Sequence, residues 1–256
     1  MGSSLLQNQR VQLLIAVTVV CIGIVAMQKP VAQWESYHHF ADTRTMMGIP
    51  NAMDVLSNLP FLFAGAIGIW LVRKRCATET RAAYYCFCMG LVLTCFGSAY
   101  YHLSPNNDTL VWDRLPMTLA FMSFVAAVMS EYIDVKLGQR ALVPLLIIGV
   151  ASVGYWHWTE LRGAGDLRAY GLVQFYPAVL IPLILWLFPK KDSGRLYLLL
   201  AVIAYIAAKL LEYSDARIYS MTGFISGHTI KHVVAALAGW LIVRRAVLSS
   251  RYPGSS

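Results

Sequence analysis

Residues Ala83–Ile133 read AYYCFCMGLVLTCFGSAYYHLSPNNDTLVWDRLPMTLAFMSFVAAVMSEYI. Two apolar runs, Ala83–His102 and Leu110–Ile133, flank a short polar connection. At a helical rise of ~1.5 Å per residue, each run can cross a hydrocarbon core ~30 Å thick. The pattern repeats outward in both directions, at Val11–Met27, Val55–Val72, Ala141–Trp158, Tyr170–Phe188, Leu196–Tyr213 and Phe224–Val243. The reading is an all-α membrane protein with eight transmembrane helices. Pro60, Pro116, Pro144, Pro177 and Pro182 fall in or near these helices, where neighbouring helices can satisfy the carbonyls they free.

Composition supports this. Charged residues are 13% of the chain, hydrophobic residues 58%, and the mean hydropathy is +0.57. A soluble domain carries ~25% charged residues, so this chain cannot cover a water-facing surface. Its net charge of +8 does not point to nucleic acid, because the basic residues sit in short clusters between apolar runs rather than on one soluble face. The partner is membrane lipid; oligomeric state is not legible.

The same clusters set orientation. One side holds Arg10, Arg73, Lys74, Arg75, Arg81, Lys136, Arg140, Lys190, Lys191, Arg195, Arg244, Arg245 and Arg251; the other holds Lys29, Arg44, Arg162, Arg168 and Arg217. The imbalance puts both termini in the cytoplasm. Val11–Met27 is not followed by a clean cleavage site, so it reads as a retained helix. The ends, Met1–Gln9 and Ser249–Ser256, read as disordered. Cys21, Cys76, Cys86, Cys88 and Cys95 lie in apolar runs or the basic loop, so no disulfide is expected.

Polar side chains inside membrane helices are costly and draw attention to function. Ser98 and His102 are four apart, on one face near the outer end of the third helix. Asp113 opens the fourth helix. His228 and His232 are four apart at the outer start of the last. The topology brings all five to one membrane face. A His pair at this spacing with His102 as third ligand can hold a zinc ion with one position open. Asp113 is then placed to act as general base and acid, and Ser98 to donate to an oxyanion.

The chain resembles the alkaline ceramidase family, within the CREST superfamily of membrane hydrolases that also includes progestin/adiponectin-type receptors. The resemblance rests on GSAYYHLSPNNDTLVWDRLPM, with Asp113–Pro116 as D-R-L-P, and on GHTIKHVVAALAGW near the C-terminus, and covers about Pro50 to Val243. It implies a seven-helix core over residues 50–246, preceded by an extra transmembrane helix and outer loop over 1–49 and followed by a tail over 247–256. It implies Zn2+ on His102, His228 and His232, with Asp113 handling the water proton and Ser98 the oxyanion. The implied reaction is hydrolysis of the amide of an N-acyl sphingoid lipid. Animal members carry an acidic, tryptophan-containing Ca2+ motif ahead of the core. Trp34, Glu35 and Asp42 occupy that stretch here, but the ligands do not align one by one, which leaves Ca2+ open. Lys231, between the two His, stands where the family more often has an aromatic residue. One residue from a ligand, it is expected to face another side of the helix.

His38, His39 and His157 read as interfacial histidines. Trp34, Trp112, Trp156 and Trp158 read as an aromatic belt. Asp54 and Asn58 read as braces within the bundle, and Lys209 with Glu212 as a local ion pair or a headgroup contact. The basic Arg73–Arg81 loop reads as a topology signal. Short loops and a compact chain point to a bacterial inner membrane, with the site on the periplasmic side. The alternative to a zinc-dependent amidase is a receptor-like lipid-binding member of the superfamily with little or no turnover. A transporter ranks below both, because the polar groups cluster at one face and not at the midplane.

Overall fold

The computed structural model describes residues 2–190 and 194–249. These form α1 (Gly2–Met27), a short turn of 3-10 helix (Glu35–His38), α2 (Ala52–Leu56), α3 (Leu59–Arg75), α4 (Thr78–Leu103), α5 (Asn107–Tyr132), α6 (Val135–Leu161), α7 (Arg168–Leu187), α8 (Arg195–Tyr213), α9 (Asp215–Thr222) and α10 (Gly227–Ser249). Among the described residues the only β feature is an isolated bridge between Met46 and Ile49.

Seven segments have the length and hydropathy to cross a membrane: Leu6–Met27, Ala52–Arg75 and helices α4 to α8. Helix α10 has the length, 23 residues, but His228, Lys231, His232, Arg244 and Arg245 lower its apolar content. The helix that departs from the apolar pattern is thus the one carrying two expected ligands.

Helix α5 is the centre of the bundle. Two-thirds of its apolar window (67%) is buried, against 6% for α1. It packs on α4 and α6, while α10 packs between α3 and α8 and α1 lies outside on α7. Asn106 caps α5, accepting from the backbone of Asp108 and Thr109 at 2.9 Å each. That cap lets α5 start four residues after α4 ends, so the two helices run back to back. Their approach is close because Gly97 faces the Trp112 carbonyl; a Cβ there would lie 2.0 Å from that oxygen.

The two ends of the bundle are tied differently. At one end Arg245 of α10 pairs with Glu131 of α5 and donates to Tyr84 of α4 at 2.7 Å. At the other, Arg168 Nη1 donates to the carbonyls of Ala26 at 3.0 Å and Gln28 at 2.7 Å, pinning α1 to α7. Asp166 holds that guanidinium at 2.8 Å. The Arg168 guanidinium in turn draws the Asp166 carboxyl down to about 2.

Several expectations are corrected. Gly2–Gln9 is helical and not disordered: α1 runs unbroken into the apolar run. Residues 250–256 and Lys191 lie outside the described residues. The connection after α8 contains a further helix, α9, whose polar composition hides it from a search for apolar runs. Asp54 sits in the separate helix α2, and Asn58 stands just before α3 with its Nδ2 donating to the Asp54 carbonyl at 2.8 Å. Trp156 is fully buried and no part of a belt, whereas Trp34, Trp112 and Trp158 are exposed. His38 is not interfacial: it is buried and hydrogen-bonded to Tyr101 at 2.9 Å and Asn107 at 3.0 Å.

Candidate metal centre and cavity

Helix α4 delivers His102 in its last turn, and α10 delivers His228 and His232 from its first two turns. One ring nitrogen from each lies within 4.8 Å of the other two. All three side chains are buried, at 1%, 4% and 4% exposure. His102 Nε2 and His228 Nε2 are 3.3 Å apart. Two nitrogens ~2.05 Å from one tetrahedral ion are ~3.3 Å apart, so the observed spacing suits a shared metal ion. Among the described residues this is the only such group of three His, Cys, Asp or Glu. Glu35 and Asp42 form no second one; both Asp42 oxygens accept from Arg44, at 2.8 and 2.6 Å. Those charge-assisted bonds hold the Asp42 carboxyl below the usual carboxylate range.

The surroundings fix the rings. Ser57 Oγ lies 2.7 Å from His232 Nδ1, which orients the ring with Nε2 toward the cluster. Asp54 Oδ1 accepts from Thr229 Oγ1 at 2.7 Å, bracing α2 against α10 between the two histidines. Asn51 Nδ2 donates to the His102 carbonyl at 2.8 Å. Asp215 Oδ1 accepts from the His228 backbone N–H at 2.7 Å, and its other oxygen accepts from Ala41 at 2.9 Å. That second bond holds the Lys29–Pro50 connection over the centre, where the Phe40 ring rests 4.6 Å from both His102 and His228. His102 Nδ1 is buried without a partner.

Ser98 stands one turn before His102 on α4, and Asp113 on α5 faces the same space. Both line a cavity that His232 and Lys231 bound at one end and Phe87, Phe124, Ile181 and Ile242 at the other. The cavity therefore passes from the polar cluster into the apolar body of the bundle. Helices α7 and α8 supply opposite walls with little packing on each other among the described residues. Ser98, Asp113 and His232 thus line one cavity, and His232 joins it to His102 and His228.

Lys231 is the correction that matters most here. It does not face away: its Nζ lies 2.9 Å from His228 Nε2 and 3.0 Å from Glu212 Oε1. Glu212 also pairs with Lys209, so the expected local pair extends across to α10. Sequence reading missed Arg114 as well. Beside Asp113, it donates to Gln33 Oε1 at 2.6 Å and stacks on Trp156 and Tyr170, at 4.1 and 4.5 Å from the ring centroids. Of the remaining histidines, His39 is exposed and His157 lies 3.6 Å from Asp108.

Apolar spanning helices around a buried three-histidine cluster and a mostly apolar cavity define an integral, multi-pass membrane protein with a candidate metal centre. A family model described as Ceramidase matches residues 44–247, most of the chain. The chain belongs to the ceramidase family, and membership implies a membrane hydrolase acting on the amide bond of ceramide. No curated protein matches the chain.

Proposed function

We propose that the protein is a zinc-dependent amidase of ceramide-like N-acyl sphingoid lipids, with His102, His228 and His232 as ligands. The observation that carries this is the 3.3 Å His102–His228 edge, with Ser98, Asp113 and His232 lining one apolar cavity beside it. The donor set suits zinc: three neutral imidazoles, shielded from water, with no fourth protein ligand in the group. Bound zinc would supply Lewis acidity and a water whose pKa falls toward ~7.

The chain's own residues do the rest. Asp113 takes the proton of the attacking water and returns it to the departing amine nitrogen. Ser98 donates its hydroxyl to the oxygen that gains charge as the amide carbon becomes tetrahedral. The apolar depth of the cavity receives the acyl chain and keeps the reacting amide away from bulk water. Residues 50–246 form the hydrolase core and residues 1–49 an added helix and loop. The excess of basic residues at the Arg73–Arg81 end supports cytoplasmic termini and an outward-facing site in a bacterial inner membrane.

The test is fatty-acid release by purified protein from a panel of N-acyl sphingoid lipids and simple N-acyl amides, alongside His228→Ala. Release that the substitution abolishes supports the proposal. No release by zinc-loaded protein transfers support to lipid binding without turnover.

A further inference from the structure

At the head of the cavity one carboxylate serves two ammonium groups. Glu212 on α8 pairs with Lys209, three residues before it, and with Lys231 across on α10. All three line the cavity, and the Lys231 and Glu212 side chains are 17% and 16% exposed. Asp113, the other carboxylate on this wall, pairs with neither lysine among the described residues. Arg114 beside it is held by Gln33 and by aromatic faces, not by a carboxylate. Glu212 is thus shared by two lysines, while Asp54 and Asp215, behind the histidines, accept from Thr229, the His228 backbone and Ala41.

A shielded ammonium is costly unless paired. Lys231 has three donors. Glu212 takes one, and a second points at His228 Nε2, the nitrogen whose lone pair the proposed metal would use. With that lone pair engaged, Lys231 has donors free beside the reacting centre and no protein anion to receive them.

We propose that Lys231 is the anion-binding residue of the substrate site. It receives a carboxylate, sulfonate or phosphate group a few bonds from the scissile amide, carried by the amine portion of the substrate or formed as the fatty-acid product. Glu212 is a positioning residue that sets the Lys231 ammonium in place. The inference rests on the amidase reading above and names the chemistry of its lipid.

The test uses the zinc-loaded full chain and two amides of one acyl chain, N-palmitoylglycine and N-palmitoylethanolamine, which differ by carboxylate against hydroxyl. Wild type is expected to show a KM about tenfold or more lower for the glycine amide, the scale of one hydrogen bond to a charged group. Lys231→Met should bring the ratio near one, Lys231→Arg should keep most of it, and Glu212→Gln should widen it. Zinc content and elution profile report whether each variant folds. A second arm measures binding of palmitate against hexadecanol by fluorescence displacement. If Lys231→Met weakens palmitate binding about tenfold while the wild-type KM ratio is near one, the anion is the product carboxylate. A ratio near one together with palmitate binding that ignores Lys231→Met overturns the proposal. If no amide is cleaved, ceramide included, while palmitate binding still depends on Lys231, the amidase reading fails and the anion site stands.

Discussion

Nε2 of His102 and Nε2 of His228 face each other at 3.3 Å, from helices whose contributing residues are 126 positions apart. Two neutral imidazoles offer each other at most one hydrogen bond at that distance, whereas one ion between them uses both lone pairs. Metal analysis of purified protein is therefore expected to find about one zinc per chain, and His228→Ala or His232→Ala to find little. Stripping the metal with a chelator should lower the thermal midpoint in detergent; ~2.7 kcal/mol of stability is at stake when free metal stands at a hundred times its Kd. Purified protein without metal, or a midpoint unchanged once the metal has been removed, would disprove the site.

Asp113 and Ser98 should separate chemistry from binding. Asp113→Asn is expected to keep zinc and lose turnover by ~10²–10⁴-fold, the range for a missing acid–base group. Ser98→Ala should cost ~10²–10³ in kcat with zinc retained. Full activity in the asparagine variant at neutral pH would remove Asp113 from the proton-transfer role.

Ser57 touches the centre only through the Nδ1 of His232, at 2.7 Å. Ser57→Ala is expected to weaken zinc affinity by ~10–100-fold while saturating zinc restores turnover. Competition against a chromogenic chelator measures this directly, and an unaltered affinity would leave Ser57 a spectator.

Gly97 sets how closely α4 and α5 approach. A methyl group there would meet the Trp112 carbonyl oxygen at 2.0 Å, a backbone atom that cannot swing aside. Gly97→Ala should push α5 outward and carry Asp113 with it, cutting activity by ~10²-fold, since such displacements act on the order of 1 Å. Stability should fall by ~1–3 kcal/mol. Normal kinetics in this variant would mean that the α4–α5 seam yields elsewhere.

How much of this could be read in advance follows the chemistry of each signal. The spanning helices were legible because run length is a direct measure of bilayer thickness. His102, His228 and His232 were legible because i,i+4 spacing and charge-based topology act independently and agree. Lys231 was misread because a helical projection places the Cβ and not the end of a four-carbon stem, which bends back to His228 and Glu212. Trp156 was misread because membrane-interface tryptophans and the floor of a cation–π stack share one sequence appearance; only the partner, Arg114, tells them apart. Asp215 gave no sign of its role, since an aspartate in a polar loop becomes a cap for α10 and an anchor for Ala41 only once α9 has folded.

Asp166 supplies a pH test away from the cavity. Its carboxyl is held at about 2 in the folded protein by Arg168, against ~3.9 in an unfolded chain. A depressed folded value means the stabilisation is present above the unfolded value and lost as pH falls toward the folded one, here between about pH 4 and 2. Thermal midpoints of wild type and Asp166→Asn should differ at pH 6 and converge at pH 2. A constant gap across that window would show that the carboxylate charge contributes nothing to the α1–α7 junction.

The distance in sequence between His102 and His228 also has a meaning for how the protein comes into being. Helices α4 and α5 can enter the membrane and pack while the rest of the chain is still on the ribosome. The centre cannot close until residue 232 has been made and α10 has come to lie beside α3. A nascent chain interrupted before residue 228 carries one ligand of the three, and one interrupted before residue 232 at most two. The reactive centre is therefore assembled last, and an incompletely synthesised copy is inert toward the lipids in which it is embedded.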